Sequence, residues 1–218
     1  SWGPEAADKR NKSVKVYLPV VSGQGAMEIV AGSLGLVAKF EMSEAKILNP
    51  GGLDSLKRSR SIITDEAIGM WRRFLLRYTD DKRCANAHFA LGRLQQCAGR
   101  AKVAIGEYKI IVSQYPASSL APYALLGSSR IKSDLLDYDG ARADLQELLL
   151  QYPDTKVSDR AYYDLAKATE SAGLAQKAVA SYRKVYHLNM QDAIRKDAAF
   201  GAANCACKIQ DYELAKKW

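Results

Sequence analysis

Small and large apolar positions recur along this chain with a fixed spacing. Alanines stand at Ala67, Ala104, Ala141, Ala178 and Ala215, each 37 residues after the last. Four residues on come Trp71, Tyr108, Leu145 and Tyr182, and seven residues on come Phe74, Ile111, Leu148 and Val185. Spacing of i, i+4, i+7 is one face of an α-helix. The alanine lets a neighbouring helix approach, and the large residues fill the space beside it. Tyr78, Tyr115 and Tyr152 close three of these segments, and Pro116 and Pro153 follow two of them.

A second helical pattern precedes each of these, in AHFALGRLQQCAG (87–99), APYALLGSSRIKS (121–133), AYYDLAKATESAG (161–173) and AAFGAANCACKIQ (198–210). Small residues at Gly92, Gly127, Ala166 and Ala203 mark where helices touch. Gly99 and Gly173 suit helix C-caps; Asp139-Gly140 and Gln210-Asp211 read as the matching joints. The second unit reads as having the longest such joint, through KSDLLDYDG. Between pairs, QYPASSLAPYALLG (114–127) has a near copy in QYPDTKVSDRAYYDLA (151–166). Pro116 and Pro122 resist a helix interior. Ser118 and Ser119 can cap the helix that follows, with Pro122 in its first turn. The stretch therefore reads as helix, tight joint, helix.

This pattern resembles the tetratricopeptide repeat, a helix–turn–helix unit with a usual period of about 34 residues. Its succession of large residue, Leu-Gly, Ala, aromatic and Pro is matched by His88, Leu91-Gly92, Ala104, Tyr108 and Pro116. Tyr123, Leu126-Gly127, Ala141, Leu145 and Pro153 match it again. The third unit has Tyr162, Leu165-Ala166, Ala178 and Tyr182, with Met190 in place of Pro; the fourth has Ala199, Ala202-Ala203 and Ala215. The long period and the Tyr-Pro joints are similar to repeats of bacterial cell-envelope proteins, such as the Tol–Pal-associated periplasmic coordinator and the outer-membrane assembly lipoprotein. The resemblance implies an all-α fold, a right-handed superhelical array of antiparallel helix pairs. About four repeats would occupy residues 61–218. It also implies a periplasmic or envelope location, with the cytoplasm as the alternative.

The two ends differ from the middle. Ala215 stands three residues before Trp218, so the last repeat reads as truncated, and a continuation of the array or a partner is expected to cover it. Residues 1–60 do not repeat. SVKVYLPV (13–20) alternates like a short strand or extended arm, AMEIVAGSLGLVAKFEMSEAKIL (26–48) reads as a helix with interior glycines, and NPGGLDSLKRSRS (49–61) reads as a loop. The segment is expected to cap the first helix pair; the alternative is an arm lying in the groove.

Composition narrows the function. The 218 residues are 48% hydrophobic and 26% charged, as in an ordinary globular chain. The net charge of +8 invites a nucleic-acid reading, but it is spread evenly: residues 1–83 carry 14 basic and 10 acidic groups, and residues 84–218 carry 18 and 14. Only Lys57, Arg58 and Arg60, with Arg72, Arg73 and Arg77, approach a cluster, so nucleic acid is not the expected partner. No apolar run is long enough to span a membrane, and SWGPEAADKRNK is too polar for a signal peptide. Cys84 and Cys97 are too far apart along one helix to bridge, and Cys205 and Cys207 point to different sides; the four read as small core residues. No cofactor or metal is implied. His88 and His187 have no neighbouring Cys, Ser or carboxylate in a nucleophile–base arrangement. Gly23-Gln24-Gly25 lacks the Lys-Ser/Thr of a phosphate loop, and DLLDYDGARAD (134–144) lacks the spacing and terminal Glu of a calcium loop. No enzyme is expected.

In the resembled family the first helix of each pair lines the concave wall, where two positions four residues apart face bound peptide. Here these are Phe89/Arg93, Ala124/Ser128, Tyr163/Lys167 and Phe200/Asn204, with Gln96, Arg160 and Glu170 nearby. Aromatic rings offer apolar area at low entropic cost, and Arg or Lys orients carboxylates. The family's carboxylate clamp, Lys-x-x-x-Asn, Asn and Lys-x-x-x-Arg, is not matched. The expectation is a scaffold binding a peptide or partner protein with some acidic groups; the alternative is end-to-end self-association through the terminal repeats.

Overall fold

The computed structural model describes residues 22–34, 36–41, 44–49, 56–188 and 192–218. The chain divides into two units, Ser1–Thr79 and Asp80–Trp218. The strand or arm expected at 13–20 lies outside the described residues.

In the first unit, helix α1 (Gly23–Ser33) is capped by the Ser22 hydroxyl, which accepts from the Gly25 N–H at 3.1 Å. The sequence reads as helical to residue 48, but the helix stops early. Strands β1 (Val37–Glu41) and β2 (Glu44–Leu48) follow as an antiparallel pair, with Val37 opposite Leu48 and Phe40 opposite Ala45. Glycines weaken the helix at its end. Beyond it Leu36, Ala38 and Ile47 bury themselves against Ala31 and Leu34, which a two-residue period allows. Helix α2 (Leu56–Arg77) begins inside the segment read as a loop. Trp71 and Phe74 meet edge to face at 5.9 Å, and Phe74 lies 5.2 Å from Tyr78.

The second unit is a run of helix pairs: α3 (Cys84–Cys97) with α4 (Ala101–Gln114), α5 (Ala121–Asp134) with α6 (Tyr138–Gln151), α7 (Ser158–Ser171) with α8 (Ala175–His187), and α9 (Asp192–Lys208) with the single turn α10 (Tyr212–Ala215). Each helix packs chiefly on its neighbours in sequence, and α7 also meets α9. The 37-residue frame is the core: Ala104, Ala141 and Ala178, then Tyr108, Leu145 and Tyr182, then Ile111, Leu148 and Val185 are all buried. The first helices have a buried column of their own, Ala87, Ala124, Ala161 and Ala198, again 37 apart.

The joints obey the same frame, which corrects two readings. Within each pair one residue takes a left-handed backbone conformation: Gly99, Leu136, Gly173 and Gln210, with φ of 74°, 63°, 78° and 62°. These too are 37 apart. The second joint therefore turns at Leu136 and is no longer than the others. Gly140 sits in the first turn of α6, its N–H held by the Asp137 side chain at 3.0 Å. Between pairs, Tyr115 and Tyr152 end their helices outside the helical region, at φ/ψ of −130°/49° and −133°/57°, in keeping with the Pro that follows each. Ser118 does not cap α5; it accepts from the Leu120 N–H at 3.2 Å and shapes the turn before it. The corresponding site in the third joint, at Met190, lies outside the described residues.

Candidate functional site

Direct side-chain bonds join the first helices side by side. Arg130 on α5 reaches Asp164 on α7 at 3.1 Å. Glu170 on α7 accepts from Asn204 and Lys208 on α9 at 2.9 and 2.6 Å. These helices form one wall of the second unit, and most residues selected from the sequence lie on them.

Phe89 is half-buried, its ring 5.7 Å from that of Tyr108. Tyr163 stands in the same relation to Tyr182 at 6.1 Å. Phe200 is 77% exposed. Arg93 and Lys167 are exposed, and Gln96 is half-buried. Arg160 lies over the Tyr163 ring at 5.4 Å and donates to Asp164 at 2.8 Å, so one carboxylate serves Arg160 and Arg130 together. Asn204 is already engaged with Glu170.

The second repeat is different. Ser128 is buried and donates to Asp144 on α6 at 2.6 Å, where Lys132 also binds at 2.7 Å. It faces its own pair's second helix, and Ala124 belongs to the buried alanine column. Aligning this repeat by its Leu-Gly shifted it by two residues. The frame of 37 instead puts Leu126 and Arg130 at the positions of Phe89 and Arg93. One column then reads Phe89, Leu126, Tyr163, Phe200, and the other Arg93, Arg130, Lys167, Asn204. The signal that finds Arg130 was present in the sequence, in the alanine spacing of the second helices.

Around Glu170 the electrostatics are specific. Burial works to raise its pKa, but hydrogen bonds from Lys208, Tyr182 and Asn204 outweigh burial and hold the carboxyl below its ordinary value. The Tyr182 hydroxyl donates to it at 2.8 Å, and burial together with this carboxylate drives the phenol pKa far upward. The same surroundings push the Cys205 thiol up to about 11, so it stays protonated and unreactive. Cys84 is buried as expected, whereas Cys97 and Cys207 are exposed. His88 has a carboxylate neighbour, its Nδ1 lying 2.8 Å from Glu107 on α4. No cluster of His, Cys, Asp or Glu suited to a metal occurs among the described residues, and none of the described helices is long and apolar enough to cross a membrane.

Residues 129–193 match the family model described as Tetratricopeptide repeat. No curated protein matches the chain. Among solved structures, a crystal structure of MamA is 21% identical with a TM-score of 0.57, covering 74% of this chain and 87% of that one. MamA from Desulfovibrio magneticus RS-1 is 14% identical, with a TM-score of 0.56 over 91% and 92% of the two chains. Kinesin light chain TPR-like repeats of Podosopora anserina are 13% identical, with a TM-score of 0.58 over 74% and 86%. At such identities the likeness is one of fold. The helix pairs of this chain form an array of the tetratricopeptide-repeat type.

Proposed function

We propose that this chain is a non-catalytic interaction scaffold that binds a peptide, or a segment of a partner protein, along the wall of α3, α5, α7 and α9. One observation carries the reading: an apolar residue followed four positions later by a basic one, at Phe89/Arg93, Leu126/Arg130 and Tyr163/Lys167, on neighbouring helices. The half-buried rings supply anchoring area, and the exposed cations favour a partner bearing carboxylates. The Tyr-Pro joints support a place in a bacterial envelope complex. Capture of a partner from the native envelope fraction tests the reading. It should fail for the double variant Arg93→Glu, Lys167→Glu with its thermal melt unchanged; undiminished capture would refute the groove.

A second reading is self-association through α9 and α10, favoured by the exposure of Phe200 and Tyr212. A sedimentation coefficient that falls on dilution would support it, and a constant monomer would exclude it.

A further inference from the structure

The internal symmetry of the array singles out one seam where a buried hydroxyl lacks the acceptor that its counterpart has. Tyr108 and Tyr182 are 74 residues apart, two repeat frames, and both rings are buried. Each lies against a glycine of the next first helix. A Cβ at Gly201 would meet the Tyr182 ring at 2.6 Å, and a Cβ at Gly127 would meet the Tyr108 ring at 2.9 Å and its hydroxyl at 3.3 Å. The Tyr108 hydroxyl therefore reaches the seam between α3 and α5, as the Tyr182 hydroxyl reaches the seam between α7 and α9.

The surroundings then differ. Tyr182 donates to Glu170, and that carboxylate also takes hydrogen bonds from Asn204 and Lys208. Two frames earlier, Glu170 is replaced by the neutral Gln96, Asn204 by Arg130 and Lys208 by the exposed Asp134. Tyr108 is fully buried, yet its hydroxyl proton finds no acceptor among the described residues. Arg93 is the charged group acting most strongly on it, and a guanidinium accepts no hydrogen bond, so the phenolic proton has no acceptor there. A buried donor without an acceptor is costly. A hydroxyl and an exposed guanidinium at one seam, with a second guanidinium on α5 that shares its carboxylate with Arg160, leave an acceptor lacking. The acceptor found at the equivalent seam is a carboxylate.

We propose that the α3–α5 seam takes an Asp or Glu side chain of the bound partner. It would accept from Tyr108 and pair with Arg93, in the place that Glu170 fills within the α7–α9 seam. A side chain fits better than a chain terminus because the wall continues past the seam, from Phe89 to Tyr163. The proposal rests on the groove reading above and adds a site and a chemistry to it.

The experiment is calorimetric titration of the full chain with an acetylated, amidated hexapeptide of alternating Leu and Glu, which has no free terminus. The wild type should bind it, and the same peptide with Gln for Glu should bind at least tenfold more weakly. Gln96→Glu installs the internal carboxylate of the α7–α9 seam. It should weaken the Glu peptide about tenfold while leaving the melting temperature equal or higher. Tyr108→Phe keeps the ring and removes the donor, and should weaken the peptide several-fold. Equal binding of the Glu peptide by wild type, Gln96→Glu and Tyr108→Phe would overturn the site, as would a wild type that does not distinguish Glu from Gln. If Lys167→Glu still abolishes binding in those cases, the groove stands and only the seam assignment falls. If Lys167→Glu is silent as well, both fall.

Discussion

The Tyr152 hydroxyl donates to the Pro116 carbonyl at 2.9 Å, so the first residue of one Tyr-Pro joint is tied to the joint before it. The bond spans 36 residues and fixes the spacing of consecutive pairs at their turns, while the ring packs beside Leu148 and Val157. Burial raises the phenol pKa, which keeps the donor protonated. Tyr152→Phe keeps the ring and loses the bond. It should lower the unfolding free energy by about 0.5–1.5 kcal/mol in a urea melt. An unchanged midpoint would mean that apolar packing alone sets the joint.

Glu170 should make the C-terminal pairs sensitive to acid. Its folded pKa lies below the ordinary 4.5, so its stabilisation is fully present above that value and is lost as pH falls through the depressed pKa. Lys208 is shifted the other way, upward by the same bond, so its contribution holds below its ordinary 10.5 and fades only as pH rises past that range. Glu170→Gln should destabilise the protein by about 1 kcal/mol at pH 7, after allowing for solvent screening. It should also flatten the fall in stability below pH ~4.5. Parallel acid titrations of wild type and variant would contradict this account.

Two glycines should respond to alanine with opposite signs. At Gly92 a Cβ would lie 2.5 Å from the buried Tyr108 ring, so Gly92→Ala should cost about 1–3 kcal/mol despite its better helix propensity. At Gly106, within α4, a Cβ would meet nothing within 4 Å, so Gly106→Ala should stabilise by up to about 1 kcal/mol. Differential scanning calorimetry of the two variants decides the point. Equal shifts would show that Tyr108 does not confine Gly92.

Much of the array was legible because its spacing is carried by residues with a clear physical role. Ala104, Ala141 and Ala178 are each buried at a helix crossing, and the large residues four and seven positions on pack beside them. The second repeat was misread because Leu126-Gly127 matches the family's Leu-Gly by letter. The residue in the frame of Gly92 is Ser129, a small buried residue whose hydroxyl bonds back to the Leu126 carbonyl at 2.9 Å. That slip hid Arg130 and promoted Ser128. The hairpin at 37–48 was missed for another reason: its short strands bury only a few side chains, and its composition suits a helix equally well. The unpartnered Tyr108 hydroxyl has no sequence signature at all, since it depends on which groups converge across a seam.

Leu136 is the clearest test of the joint geometry. Its φ of 63° is a left-handed conformation in which a β-carbon is strained, and the same place in two other joints is held by Gly99 and Gly173. Leu136 is 71% exposed, so its side chain contributes little packing. Replacing it with glycine removes strain of about 1–2 kcal/mol, partly offset by the greater freedom of glycine in the unfolded chain, about 0.4–1 kcal/mol. Leu136→Gly should therefore stabilise the protein by roughly 0.5–1 kcal/mol, raising Tm by about 1–4 °C. Gly173→Ala should do the reverse, because it places a Cβ at a φ of 78°. A lower Tm for Leu136→Gly would mean that the leucine side chain makes a contribution larger than its exposure indicates, and that the left-handed joint is not strained.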